Sequence, residues 1–170
     1  RPPLETIRYP KALASLADLW EEEPVLRRAA LTQGALFGSF SVFWTVLSLH
    51  LQEPMFKLGA DSAGLFALLG IVGITAAPWS GHIADRRGPT LVVQLGVLIT
   101  VLAWIPFAAW TSILGMIIGV MVLDFGVQSA MVSNQHKIYA LRTEASSRLN
   151  TILMSGVFIG GAIGSAFGGT

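Results

Sequence analysis

Residues 88–133 read GPTLVVQLGVLITVLAWIPFAAWTSILGMIIGVMVLDFGVQSAMVS, and Asp124 is the only Asp, Glu, Lys or Arg among them. A bilayer core about 30 Å thick is crossed by roughly 20 apolar residues in a helix. The run is too long for one crossing and suits two. The triplet Trp110-Thr111-Ser112, shortly after Pro106, is the natural point of reversal. Working outward, three more windows carry no formal charge: Ala29 to Gln52, Ser62 to Ala84, and Leu149 to Thr170.

Composition points the same way. Apolar residues make up 53% of the 170-residue chain and charged residues 12%, against about a quarter charged in soluble domains. The expected fold is all-α: a polytopic transmembrane helical bundle. Five spans are expected within residues 29–170, at about 30–51, 62–82, 90–109, 112–133 and 150–169. Residues 1–28 form a lead-in, in which Leu13, Leu16, Leu19 and Trp20 share one face of a short helix that Pro24 ends. An interfacial surface helix is the expected role, with membrane lipid as its neighbour. The chain begins with Arg1 rather than Met and stops within a Gly-rich window, so it reads as a piece of a longer protein.

Basic residues orient the bundle. Ten of the eleven Lys and Arg fall on one side of the five-span arrangement, and only Lys57 falls on the other. The excess of Lys and Arg marks the cytoplasmic side. The amino terminus and the loops at 83–89 and 134–149 are therefore expected there, in a multi-pass protein of the cell (inner) membrane. Net charge is +1 and no basic stripe appears, which argues against nucleic acid.

Small residues are placed with regularity. Gly156, Gly160, Gly164 and Gly168 recur every fourth residue and so lie on one stripe of a helix. In lipid, such a stripe lets another backbone come close. The first span carries Gly34, Gly38, Ser41, Thr45 and Ser48 on one face, suited either to a packing seam or to the wall of a polar cavity. Gln33 and Trp44 lie close to that face.

Asp124 lies about 12 residues past the outer end of its span, roughly 18 Å deep at 1.5 Å per residue. An ionised carboxylate there costs a few kcal/mol unless it meets a partner or a cavity. Gln128 is one turn further on. Two readings stand: a proton carrier or substrate ligand hydrogen-bonded to Gln128, or a carboxylate that ties its helix to a neighbour. His50, His82 and His136 are isolated, so no metal site and no cofactor is expected. No enzyme motif is present; neither a phosphate-binding loop nor a nucleophile elbow occurs. The chain has no cysteine.

The most specific feature is Gly81-His82-Ile83-Ala84-Asp85-Arg86-Arg87-Gly88. Its glycines allow a tight reversal, and Asp85 suits a helix amino terminus. Gly81, Asp85, Arg86 and Gly88 resemble the loop signature of the major facilitator superfamily, which joins the second and third helices of each six-helix half. Here Pro89 and Thr90 stand where two basic residues usually follow. Leu123-Asp124-Phe125-Gly126-Val127-Gln128, Val132-Ser133-Asn134-Gln135 and Arg148-Leu149-Asn150-Thr151 resemble bacterial sugar- and drug-efflux-like members, and the last span resembles the family's antiporter-type glycine motif. The resemblance implies a partial second six-helix half, helices seven to eleven of twelve. It also implies alternating access, a small-molecule substrate, and a missing amino-terminal half and last helix. Proton-coupled efflux is the expected activity. Asp124, Gln128, Gln33 and Trp44 would line the pathway, and Asp85 and Arg86 would latch the cytoplasmic side. A non-transporting membrane scaffold or sensor is the alternative.

Overall fold

A computed structural model describes residues 9–50, 71–107 and 113–169. Among these residues the only regular structure is helical: α1 (Tyr9–Glu22), α2 (Pro24–His50), α3 (Ile71–Arg87), α4 (Pro89–Leu102), α5 (Trp104–Phe107), α6 (Ile113–Tyr139) and α7 (Ser146–Gly168), with a 3-10 turn at Thr143–Ala145. Residues 62–70 of the expected second span and the Trp110-Thr111-Ser112 reversal lie outside the described residues.

Prolines set two of the boundaries. Pro24 has no N–H, so the carbonyl of Trp20 loses its helical donor. The Arg27 guanidinium replaces it, donating to the carbonyls of Trp20 and Glu21, each at 2.7 Å. This cap closes α1 and turns the chain directly into α2. Pro106 likewise offers no donor to the Leu102 carbonyl, and α4 ends at Leu102.

The expected loop at 134–149 is largely helix. α6 continues through Asn134 to Tyr139, and α7 starts at Ser146. A span's apolar window ends where lipid ends, but the helix needs no lipid. His136 and Lys137 in its last turn suit the negative end of the helix dipole.

By length and composition, Pro24–Leu49, Leu114–Tyr139 and Thr143–Gly168 could each cross a membrane, and Pro89–Leu102 is a shorter apolar helix. Large apolar side chains point outward, with Ile74 71% and Phe167 74% exposed. A surface of this kind fits lipid rather than water.

Helix α6 is central and packs against α2, α3 and α4, while α7 packs along α2. Glycines make the α2–α7 contact backbone to backbone. A Cβ on Gly34 would stand 2.7 Å from the Gly156 carbonyl oxygen, and one on Gly38 would stand 2.9 Å from that of Gly160. In return, a Cβ on Gly160 would collide with Gly34, and one on Gly164 with Gly38. Gly168 lies against Val42 and Thr45. A second seam joins α4 to α6, where a Cβ on Gly96 would be 2.7 Å from the Gly126 carbonyl oxygen. Dispersion and close packing hold helices together where no water is expelled.

Helix α1 packs one side against the bundle. Leu19 is buried with Leu26, Ile138, Leu149 and Leu153, and Leu16 packs against this cluster. Leu13 is exposed. Arg142, in the α6–α7 connection, bridges Glu22 and Glu23 at 2.9 Å each. These two hydrogen-bonded carboxylates hold the guanidinium pKa above its ordinary value, Glu22 contributing most.

Candidate functional site

Gln33, Phe37 and Phe40 fall on one face of α2, at spacings of four and three. Asp124, Val127, Gln128 and Met131 do the same on α6. The two faces meet around a cavity of about 110 Å³.

Asp124 is 6% exposed and lines this cavity. No hydrogen bond or ion pair from another described residue meets its carboxylate. The helices around it supply no counter-charge. Residues 29–50 of α2, all of α4, and α7 beyond Arg148 contain no Asp, Glu, Lys or Arg. The charges of α3, Asp85, Arg86 and Arg87, are exposed at its end. On α6 itself, Lys137 is 13 residues away, roughly 20 Å along the helix.

Gln33 is 1% exposed and serves both helices. Its Nε2 donates to the Val127 carbonyl at 3.3 Å, and its Oε1 accepts from Asn134 Nδ2 at 3.2 Å. Sequence reasoning missed Asn134 as a site residue because a loop was expected there. It missed Phe37 and Phe40 because apolar residues in a span look lipid-facing. The helical register with Gln33 was the signal that could have found them. The two rings stack, with centroids 5.4 Å apart.

Gln33, Asp124 and Gln128 thus share one cavity, but Gln128 is exposed and makes no hydrogen bond to Asp124. One helical turn brings two residues to the same face without bringing their polar atoms together. Trp44 is absent from the cavity lining. It lies one helical turn beyond Phe40, in an aromatic group with Phe40 and Phe43 at centroid distances of 6.0 and 5.8 Å. Its buried Nε1 has no hydrogen-bond partner among the described residues.

The signature loop is tighter than expected. Helix α3 runs to Arg87, and Gly88 alone makes the turn, with φ 85° and ψ 149°. Its N–H still donates to the Ala84 carbonyl at 2.9 Å. A left-handed φ here suits glycine, which has no Cβ. Gly81 does not contribute to the turn; it is within α3, beside open space. Nor does Asp85 cap α4, whose N-cap is Gly88 with no side-chain hydrogen bond. The short turn carries α4 away before the Asp85 side chain can reach its first amides. Asp85 and Arg86 are exposed.

The family model of the Major Facilitator Superfamily matches residues 2–169. The chain belongs to this superfamily. Its helices are those of a multi-pass membrane protein. This superfamily chain is 36% identical over 162 residues to the uncharacterized transporter YgaY of Escherichia coli O157:H7, covering 94% of the chain and 41% of that relative. It is 30% identical over 161 residues to the probable transporter SCO4007 of Streptomyces coelicolor, covering 92% of the chain and 37% of that relative. The chain therefore spans about two fifths of the length of these relatives. No solved structure matches it.

Proposed function

We propose that this chain forms part of a secondary transporter that moves a small organic compound by alternating access, with Asp124 at the transport site and protons as the coupling ion. The observation that carries the reading is a carboxylate that is 6% exposed, faces a cavity and has no counter-charge from the described helices. Such a group is costly in lipid unless it is used. A carboxylate that merely tied two helices together would have a partner, and Gln33 with Asn134 already performs that task between α2 and α6.

In this reading the five spans are helices seven to eleven, and the amino-terminal half and last helix of the same protein complete the bundle. The two halves rock about the site. The exposed Asp85 and Arg86 meet the other half on the cytoplasmic side, in the cell membrane, and the direction is outward. Both relatives are named as transporters, which agrees with this reading. The test is Asp124→Asn in the full-length protein, reconstituted in proteoliposomes. Proton-driven substrate flux is expected to fall at least a hundredfold, and undiminished coupling would remove Asp124 from the mechanism.

A further inference from the structure

We propose that the groove along the α2–α7 seam seats an acyl chain of an anionic phospholipid, whose phosphate is held at Arg28. The groove holds about 750 Å³, within the roughly 300–1,000 Å³ of sites that take small molecules. It shares no lining residue with the Asp124 cavity. The inference needs the bundle to lie in lipid and is independent of the transport reading.

The wall sets the class of occupant. Leu31 on α2 and Ile159, Ile163 and Phe167 on α7 line the groove and are between 53% and 74% exposed. Its two hydroxyls, on Thr151 and Ser155, already donate to the carbonyls of Ser147 and Thr151, at 3.0 and 2.9 Å. A transmembrane helix docks on small residues that admit its backbone. Here Gly34, Gly38, Gly156 and Gly160 are already taken up by the contact between α2 and α7. What remains facing outward is bulky and aliphatic, a surface that suits a hydrocarbon chain. Along α2 the lining runs from Ala30 to Val42, roughly 18 Å at 1.5 Å per residue. That is close to one leaflet of a core about 30 Å thick.

One end of the groove suits a head group. Trp20 of α1 lines it, and its indole N–H has no partner among the described residues. Tryptophan favours the level of lipid head groups. Arg28 lies one helical turn before Leu31 on the same stripe of α2. It is exposed and forms no ion pair among the described residues. The other charges nearby are engaged: Arg27 donates to the Trp20 and Glu21 carbonyls, and Glu22 and Glu23 hold Arg142. A long arginine stem can lie along apolar surface while its head stays at the polar boundary, and the guanidinium fork matches two phosphate oxygens. Arg148 has the corresponding place on α7, one turn before Ile152. It shares a small polar pocket with Asp18 and Glu144, which compete with an anion, so Arg28 is the selecting contact. The far end of the groove, at Val42 and Phe167, is uncharged: residues 29–50 and 149–170 contain no Asp, Glu, Lys or Arg.

Phosphatidylglycerol and phosphatidylcholine with identical oleoyl chains differ in head-group charge alone. Native mass spectrometry of the delipidated full-length protein in detergent, titrated with each, tests the inference. Phosphatidylglycerol is expected to bind at least fivefold more tightly. Arg28→Gln should remove that preference and Arg28→Lys should keep it. Arg87→Gln, at the exposed end of α3, should leave it intact. Ile163→Trp, which fills the groove, should weaken both lipids several-fold. No preference in the unaltered protein, a preference that survives Arg28→Gln, an equal loss in Arg87→Gln, or indifference to Ile163→Trp would each overturn the proposal. A nitroxide on Ile163→Cys, in full-length protein with any other cysteine replaced, separates lipid from protein as the occupant. In phosphatidylglycerol vesicles it should be open to dissolved oxygen and closed to a water-soluble nickel chelate. Shielding from both would mean that the rest of the protein or a second copy covers the groove, and the proposal would fall. Proton-driven flux that needs Asp124, in a protein without lipid preference, leaves the transport reading standing and removes this one.

Discussion

Gln33 is an amide whose value lies in what it prevents. Without it, Asn134 would keep a buried amide with nothing to donate to, and such a group costs about 1–3 kcal/mol. Gln33→Ala is therefore expected to destabilise the full-length protein by that amount, read as a lowered melting temperature in detergent. Gln33→Leu should cost as much, because it restores volume but no acceptor. Gly88 makes a second residue-scale prediction. Its φ of 85° with ψ 149° is strained for any residue with a Cβ, by about 1–3 kcal/mol, although no atom would obstruct one. Gly88→Ala should lower the melting temperature, while Gly81→Ala, in a helix beside open space, should raise it slightly. The reverse order would place the turn at Gly81. Asp124, Gln33 and Gln128 could be found in the sequence because polar residues in apolar windows are conspicuous. Phe37, Phe40 and Asn134 could not. Their roles depend on which helix face meets which neighbour, and composition is blind to that.

At the scale of elements, the α2–α7 pair is the tightest contact. Gly160→Leu would drive a side chain into the Gly34 backbone, where no rotamer can move out of the way. The expected loss is at least the roughly 1–3 kcal/mol of ordinary overpacking, measured as early unfolding or failed insertion. Gly169→Leu, whose Cβ would find ordinary contact distances, is the control. The stripe of glycines was legible from its four-residue period. Its partner was not, because period gives a face and not a neighbour. Helix α1 makes a gentler prediction. Its tie to the α6–α7 connection is the Arg142 pair with Glu22 and Glu23, and Arg142 is 39% exposed. Arg142→Gln should speed amide exchange across residues 13–22 and leave the global melting temperature nearly unchanged, since exposed pairs contribute little. A large drop in melting temperature would mean that α1 is integral to the bundle.

For the whole molecule, hydropathy and charge carried the fold class, and proline and glycine carried several of the breaks. Helix ends were misjudged where polar residues simply continue a helix, as from Asn134 to Tyr139. The orientation rests on ten basic residues sharing one side. Residues 1–170 contain no cysteine; single cysteines placed at Arg86 and Arg142, in full-length protein with any other cysteine replaced, should both react with a membrane-impermeant maleimide from the cytoplasmic face, and labelling from opposite faces would refute the arrangement.

The glycine seam also has a consequence in time. Gly34 leaves the ribosome about 120 residues before Gly156. At 5–20 residues per second, α2 waits on the order of ten seconds for α7. Throughout that interval its notched side is open to any passing helix. Fidelity of assembly then depends on what shields α2 during synthesis, so a slowed or chaperone-poor insertion pathway should harm this protein more than its finished stability would suggest.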